Sequence, residues 1–210
     1  MAHTFRTIIL TLVVTGSAGQ ATVVEAEAAP PVVAESVAPA IVEPLTTRQQ
    51  ELVDWAIGRF ALAGLELPEM TIRFDPSRGL CGGADGLYRH APDEGASVTI
   101  CTREGNSFAA ELETRRTLLH EFGHAWDFAN LTSEDRGELS RTLGASEWWS
   151  KDVPWGERGA ERFAETFVFA LLDQPLRTLK VDLGCTVMLD AFHNATGALP
   201  QSPGLPRCAA

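Results

Sequence analysis

Apolar side chains recur at helical spacing in several stretches of this chain and alternate with polar ones in shorter stretches between them. Leu52, Trp55, Ala56, Phe60 and Ala63 share one face of a helix predicted over residues 47–64. Thr47-Arg-Gln-Gln50 offers a capping-box start, and Gly64 with Pro68 supplies the stop. Met70-Thr-Ile-Arg-Phe74 alternates and runs into Asp75-Pro76, the pattern of a short strand. Gly-rich turn material fills 79–86, and Leu87-Tyr88 and Ser97–Cys101 read as two more strands around a loop at Pro92. Ser107 can cap a long helix that ends near Asn130, with Leu112, Leu118, Leu119, Phe122, Ala125, Trp126 and Ala129 facing the core. A shorter helix follows at 132–143. Residues 144–158 have no periodicity but hold Trp148, Trp149 and Trp155. Another helix starts near Gly159 and stops before Pro175, and a last helical pattern at 186–195 ends at Gly197. Together these elements predict an α+β domain in which a small antiparallel sheet packs on helices.

The N-terminus reads differently. Met1–Arg6 is a short cationic start, Thr7–Thr15 an apolar run and Gly16–Ala21 a small-residue patch, the layout of a secretory signal over 1–21. No cysteine lies there to carry a lipid. Residues 22–45 hold four prolines, four glutamates, no Lys or Arg and no aromatic residue. Such a segment buries too little area to offset chain ordering, and reads as a linker or pro-segment. The folded body is then 46–210, and the protein is expected to be secreted.

All four cysteines fall in that body. Disulfides are the default in an exported chain, and Cys81–Cys101 with Cys185–Cys208 is the expected pairing. A four-thiolate zinc site lacks its Cys-x-x-Cys spacing. A net charge of −11 argues against nucleic acid as partner. Beyond the N-terminus no apolar run approaches the roughly 20 residues of a spanning helix, so no membrane span is expected in the mature chain.

The chemistry concentrates in His120-Glu121-Phe122-Gly123-His124, in the middle of the long helix. Histidines at i and i+4 lie on one face about a turn apart, which suits two ligands of a tetrahedral zinc. The intervening Glu121 is offset from them and can serve as general base without ligating the metal. A third histidine in the longer metalloprotease spacing is absent, because Asp127 and Asn130 stand at those positions. Glu161 and Glu165 open the next helix on a face continued by Ala164, Val168 and Leu172. Carboxylates at the head of an apolar stripe need a partner, and a metal or its histidines would supply one.

Leu118–Ala125 with Asp127 and, downstream, Glu161-Arg-Phe-Ala-Glu-Thr-Phe167 resemble the gluzincin metallopeptidases, nearest to the catalytic domain of anthrax lethal factor and related secreted bacterial proteins. The resemblance implies a zincin-like domain with an active-site helix and a second, ligand-bearing helix. It implies one zinc held by His120, His124 and Glu161, Glu121 as base, and Glu165 as the carboxylate behind a ligand; Asp127 is expected beside it. That family places a tyrosine before the second helix to stabilise the intermediate. Here the nearest aromatic is Trp155, so Tyr88, Trp155 and His193 stand as alternative donors, with His90 and Arg158 behind them. The tryptophans of 148–155 are candidates to line a substrate groove. The expectation is therefore a monomeric, secreted zinc metallopeptidase acting on protein or peptide. A non-catalytic zinc-stabilised binding module and an amidase acting on cell-wall peptide are the alternatives.

Overall fold

Strand β1 (Ala40–Ile41) is followed by helix α1 (Thr47–Leu62), strands β2 (Met70–Phe74), β3 (Gly86–Ala91) and β4 (Gly95–Ile100), and helices α2 (Phe108–Asn130) and α3 (Ser133–Leu143). A single 3-10 turn at Trp155–Glu157 precedes α4 (Gly159–Leu171) and α5 (Cys185–Thr196). The computed structural model describes residues 40–41, 44–102, 105, 107–174 and 180–201. The expected signal at 1–21 and most of the expected linker at 22–45 lie outside these residues. Ala40–Ile41, within that linker, runs parallel to β2 as a two-residue edge.

The fold is mixed α and β, as the pattern predicts, but its sheet is not antiparallel throughout. The order is β1-β2-β4-β3, with β2 parallel to β4 and only β3 antiparallel to it. Alternation identifies a strand without naming its partner. The chain leaves β2 through residues 75–85, passes to the outer edge as β3 and returns between β3 and β2 as β4. The Cys81–Cys101 disulfide ties this crossing segment to the end of β4. Cys185 is also disulfide-bonded, and its expected partner Cys208 lies outside the described residues.

Helix ends follow local chemistry. The α1 box sits one residue earlier than expected. Thr46 is the cap, its side chain accepting from the Gln49 backbone while the Gln49 side chain accepts from the Thr46 N–H. Ser107 caps α2, Thr132 and Asp135 form a second box at α3, and Gly144 and Gly197 close α3 and α5.

Helix α4 is buried almost all round, as its nearly continuous apolar sequence requires. Phe167, near its middle, stacks on Phe60 of α1 at 5.3 Å and meets Phe192 of α5 edge-on at the same distance. The α2 contact is closer still. A Cβ at Gly123 would stand 3.0 Å from the Phe167 ring and 3.3 Å from the Ala164 Cα, so only glycine lets the two helices approach this far. Ala129 is exposed, contrary to expectation, because the last turn of α2 extends beyond this packed face. Among the described residues, no helix is long and apolar enough to cross a membrane.

Candidate metal centre

The Gly123 contact sets α4 against the histidine face of α2. His120 and His124 project from α2 toward Glu161 in the first turn of α4 and Glu165 one turn later. Glu161 Oε2 lies 3.0 Å from His120 Nε2 and 3.2 Å from His124 Nε2, and the two Nε2 atoms are 3.1 Å apart. Ligand atoms about 2.0–2.1 Å from a tetrahedral zinc stand roughly 3.4 Å from one another, so this triangle has the scale of a metal site. His120, His124 and Glu161 form a group that could hold a metal ion.

The donor chemistry fits a cation. His120 Nδ1 lies 3.1 Å from Glu165 Oε1, the natural partner of an Nδ1–H. In the neutral ring that tautomer turns the Nε2 lone pair toward the Glu161 carboxylate, and two acceptors then face each other. A positive charge between them removes the conflict. Without a metal, the proton takes that place: burial opposes the charged ring, but bonds to Glu161 and Glu165 raise the His120 pKa to about 10. Burial likewise works against ionisation of Glu161 and Glu165, and the histidine bonds overcome it, holding both carboxylates below their ordinary range.

The two histidines are not held alike. His120 has Glu165 behind it, and Arg116 stands 3.7 Å from the other Glu165 oxygen. His124 Nδ1 is buried with no hydrogen-bond partner among the described residues. Its ring is kept in place by packing, stacked on Tyr88 at 6.3 Å and tilted against Trp149 at 5.7 Å. Asp127, expected beside the ligands, is turned elsewhere. One of its carboxylate oxygens accepts from Trp148 Nε1 (2.9 Å) and the other from Arg136 Nε (2.8 Å). It ties α3, through Arg136, and the loop after α3, through Trp148, to α2.

Glu121 is buried beside the triangle, and burial raises its pKa against the pull of His120 and His124. The Tyr88 backbone N–H donates to its carboxylate. Strand β3 comes so near that a Cβ at Gly86 would stand 2.5 Å from Glu121 Oε1 and 2.6 Å from Thr117 Cγ2. Glycine at the head of that strand is what admits the carboxylate.

These groups line a cavity of about 620 Å³. Of the three expected donors, Tyr88 and Trp155 line it, and Trp155 stacks on His120 at 5.7 Å. Burial pushes the Tyr88 phenol up to about 12, so it keeps its proton at neutral pH. His193 does not line the cavity; it sits on α5 and its Nδ1–H donates to the Ala198 carbonyl at 3.0 Å. His90 stacks on Phe128 at 4.1 Å and is also outside the lining, whereas Arg158 is part of it. Trp148 and Trp149 take their places in the wall, as their loop suggested.

Among the lining residues that escaped the sequence reading are Gly86, Asp85, Thr117, Arg116, Lys151 and Lys180. Arg116 had a readable signal, since it precedes His120 by four residues and shares its helix face. Lys180 had none; it reaches the site by tertiary folding, donating to Asp85 and Glu113. Compared with protein-family models, curated proteins and solved structures, the chain has no match.

Proposed function

We propose that this protein is a secreted, monomeric zinc metallopeptidase of gluzincin type that hydrolyses peptide bonds in protein or peptide substrates. The observation that carries the proposal is the His120–His124–Glu161 triangle with the Glu165 carboxylate behind the His120 imidazole and a buried carboxylate outside the triangle, Glu121, beside it. Two histidines and one carboxylate with a fourth position left for water is a hydrolytic rather than a structural zinc set. The resemblance of 118–125 and 161–167 to gluzincins supports the same choice of metal.

His120, His124 and Glu161 would hold a zinc ion, which would supply Lewis-acid chemistry. Glu121 accepts a proton from the water whose oxygen adds to the carbonyl carbon, and returns it to the amine nitrogen as the C–N bond breaks; its raised pKa brings it nearer the range where both transfers are efficient. The Tyr88 N–H orients its carboxylate, and the missing side chain of Gly86 leaves room for it. The neutral Tyr88 phenol is the assigned donor to the negative charge that grows on the carbonyl oxygen.

Purified protein is expected to bind one zinc per chain by elemental analysis. Glu121→Gln should keep that zinc and lose hydrolysis of a casein or peptide substrate by at least about 100-fold, the lower scale of general-base catalysis. Zinc bound without turnover in the unaltered chain would instead define a binding module, and near-normal turnover in the variant would remove Glu121 from the mechanism.

A further inference from the structure

The charges around the centre do not follow the rest of the chain. The protein has a formal net charge of −11 and contains two lysines, Lys151 and Lys180. Both line the cavity, together with Arg116 and Arg158. Lys180 is matched by Asp85 at 3.2 Å and Glu113 at 2.9 Å. Arg116 faces Glu165. Lys151 and Arg158 differ, since among the described residues neither has a carboxylate within 4.0 Å.

Arg158 uses its guanidinium on the backbone of its own loop. Nε donates to the Val153 carbonyl at 2.8 Å and Nη2 to the Lys151 carbonyl at 3.4 Å. These bonds orient the planar group and leave its charge uncompensated. The acidic lining is already committed. Asp85 is held by Arg78 and Lys180, Glu161 and Glu165 by the histidines, and Glu121 is buried with a raised pKa. Lys151 and Arg158 therefore line the cavity without an ion-pair partner among the described residues, while Asp152 and Glu157 of the same loop are outside the lining.

That loop also carries the exposed apolar surface of the site. Trp149 is 47% and Trp155 38% exposed, although each ring packs on a histidine of the triangle. Large rings left half open beside a catalytic group are suited to cover a ligand.

We propose that the loop from Trp149 to Arg158 recognises a carboxylate, so that the substrates are peptides with a negative charge close to the scissile bond. The proposal rests on the peptidase function above. Lys151 and Arg158 bind the carboxylate, while Trp149 and Trp155 cover the neighbouring apolar part of the peptide. The carboxylate is either an Asp or Glu side chain or the C-terminus of the peptide. In a protein of net charge −11, two cavity cations without an ion-pair partner among the described residues also favour such a ligand at that place.

A small peptide library separates these cases. One set is neutral with both ends blocked, a second carries a single Glu at each position in turn, and a third is neutral with a free C-terminus. The zinc-loaded full chain is expected to cleave one of the two charged sets about tenfold better in kcat/KM than the neutral set, the scale of one charge-assisted hydrogen bond. The preferred set tells side chain from terminus. Lys151→Glu and Arg158→Gln should each remove most of the preference. Arg141→Glu, which makes the same charge change as Lys151→Glu at a 76% exposed position on α3, should not. Cleavage of all three sets at equal rates overturns the carboxylate proposal and leaves the peptidase function standing. If no set is cleaved, the peptidase function fails, and tryptophan fluorescence titration with the same peptides decides the proposal. Tighter binding of a charged set that is lost in Lys151→Glu supports it; binding indifferent to charge or to Lys151→Glu overturns it.

Discussion

On the helical side of the cavity the grouped side chains sit on α2 and α4, and all but His124 have buried support there: Glu165 behind His120, Arg116 beside Glu165, Phe167 under Gly123. On the opposite side, residues 148–158 have one 3-10 turn and half-open rings, and of their three tryptophans only Trp148 is buried. The first side is placed by a core that would exist without any site. The second is placed by a few hydrogen bonds, chiefly Trp148 to Asp127 and Arg158 to its own loop. Under the proposed function, chemistry that must be held to tenths of an ångström falls on the helices, and contact with a variable ligand on the loop.

The contrast can be broken most severely at its base. Phe167→Ala removes a ring packed against α1, α2 and α5, and should cost about 3–5 kcal/mol of stability by denaturant unfolding, the usual range for a buried Phe. A loss well below that would mean that the helices are held together elsewhere.

Next come the two carboxylates of α4. Glu161→Ala should lose zinc affinity beyond the roughly 100-fold that marks the upper end for a residue behind a ligand, and Glu165→Ala should fall within about 10–100-fold. Zinc titration against a competing chelator measures both. A reversed order would make Glu165 the ligand and place Glu161 behind it, against the 3.0 and 3.2 Å approach of Glu161 to both histidines.

The smallest effect sharpens the loop side. Trp148→Phe keeps a buried aromatic ring but removes the N–H that donates to Asp127, and should lower stability by about 1.5 kcal/mol in thermal or denaturant melts, the low end for a bond to a charged group. Trp149→Phe, at a half-open ring, should hardly move the same midpoint. Equal losses at both would show the loop to be held by its rings alone.

The same division explains what could be read in advance. Helices α1 to α5 were legible because apolar spacing and caps are local, and even the error at Thr46 is one residue. Glu161 and Glu165 were legible because a charge on an apolar stripe needs a reason. Strand order was not, since β2 chooses β4 over its sequence neighbour β3 through a crossing that no alternation encodes. Asp127 misled for a related cause. It lies on the right helix three residues past His124, yet its partners Arg136 and Trp148 come from α3 and the loop beyond. His193 failed likewise, because residue type alone carries no address.

Gly123 has a consequence for the order of events. The backbone approach that it permits is filled by phenyl rings, and on the same two helices Nε2, Nε2 and Oε2 stand within about 3 Å of each other. Small zinc modules are unfolded without their metal because the ion is their core. Here aromatic packing between α1, α2, α4 and α5 supplies the core instead. An ion held at the triangle would then exchange for another divalent ion without the chain refolding, and chelation is expected to leave the helical circular dichroism unchanged.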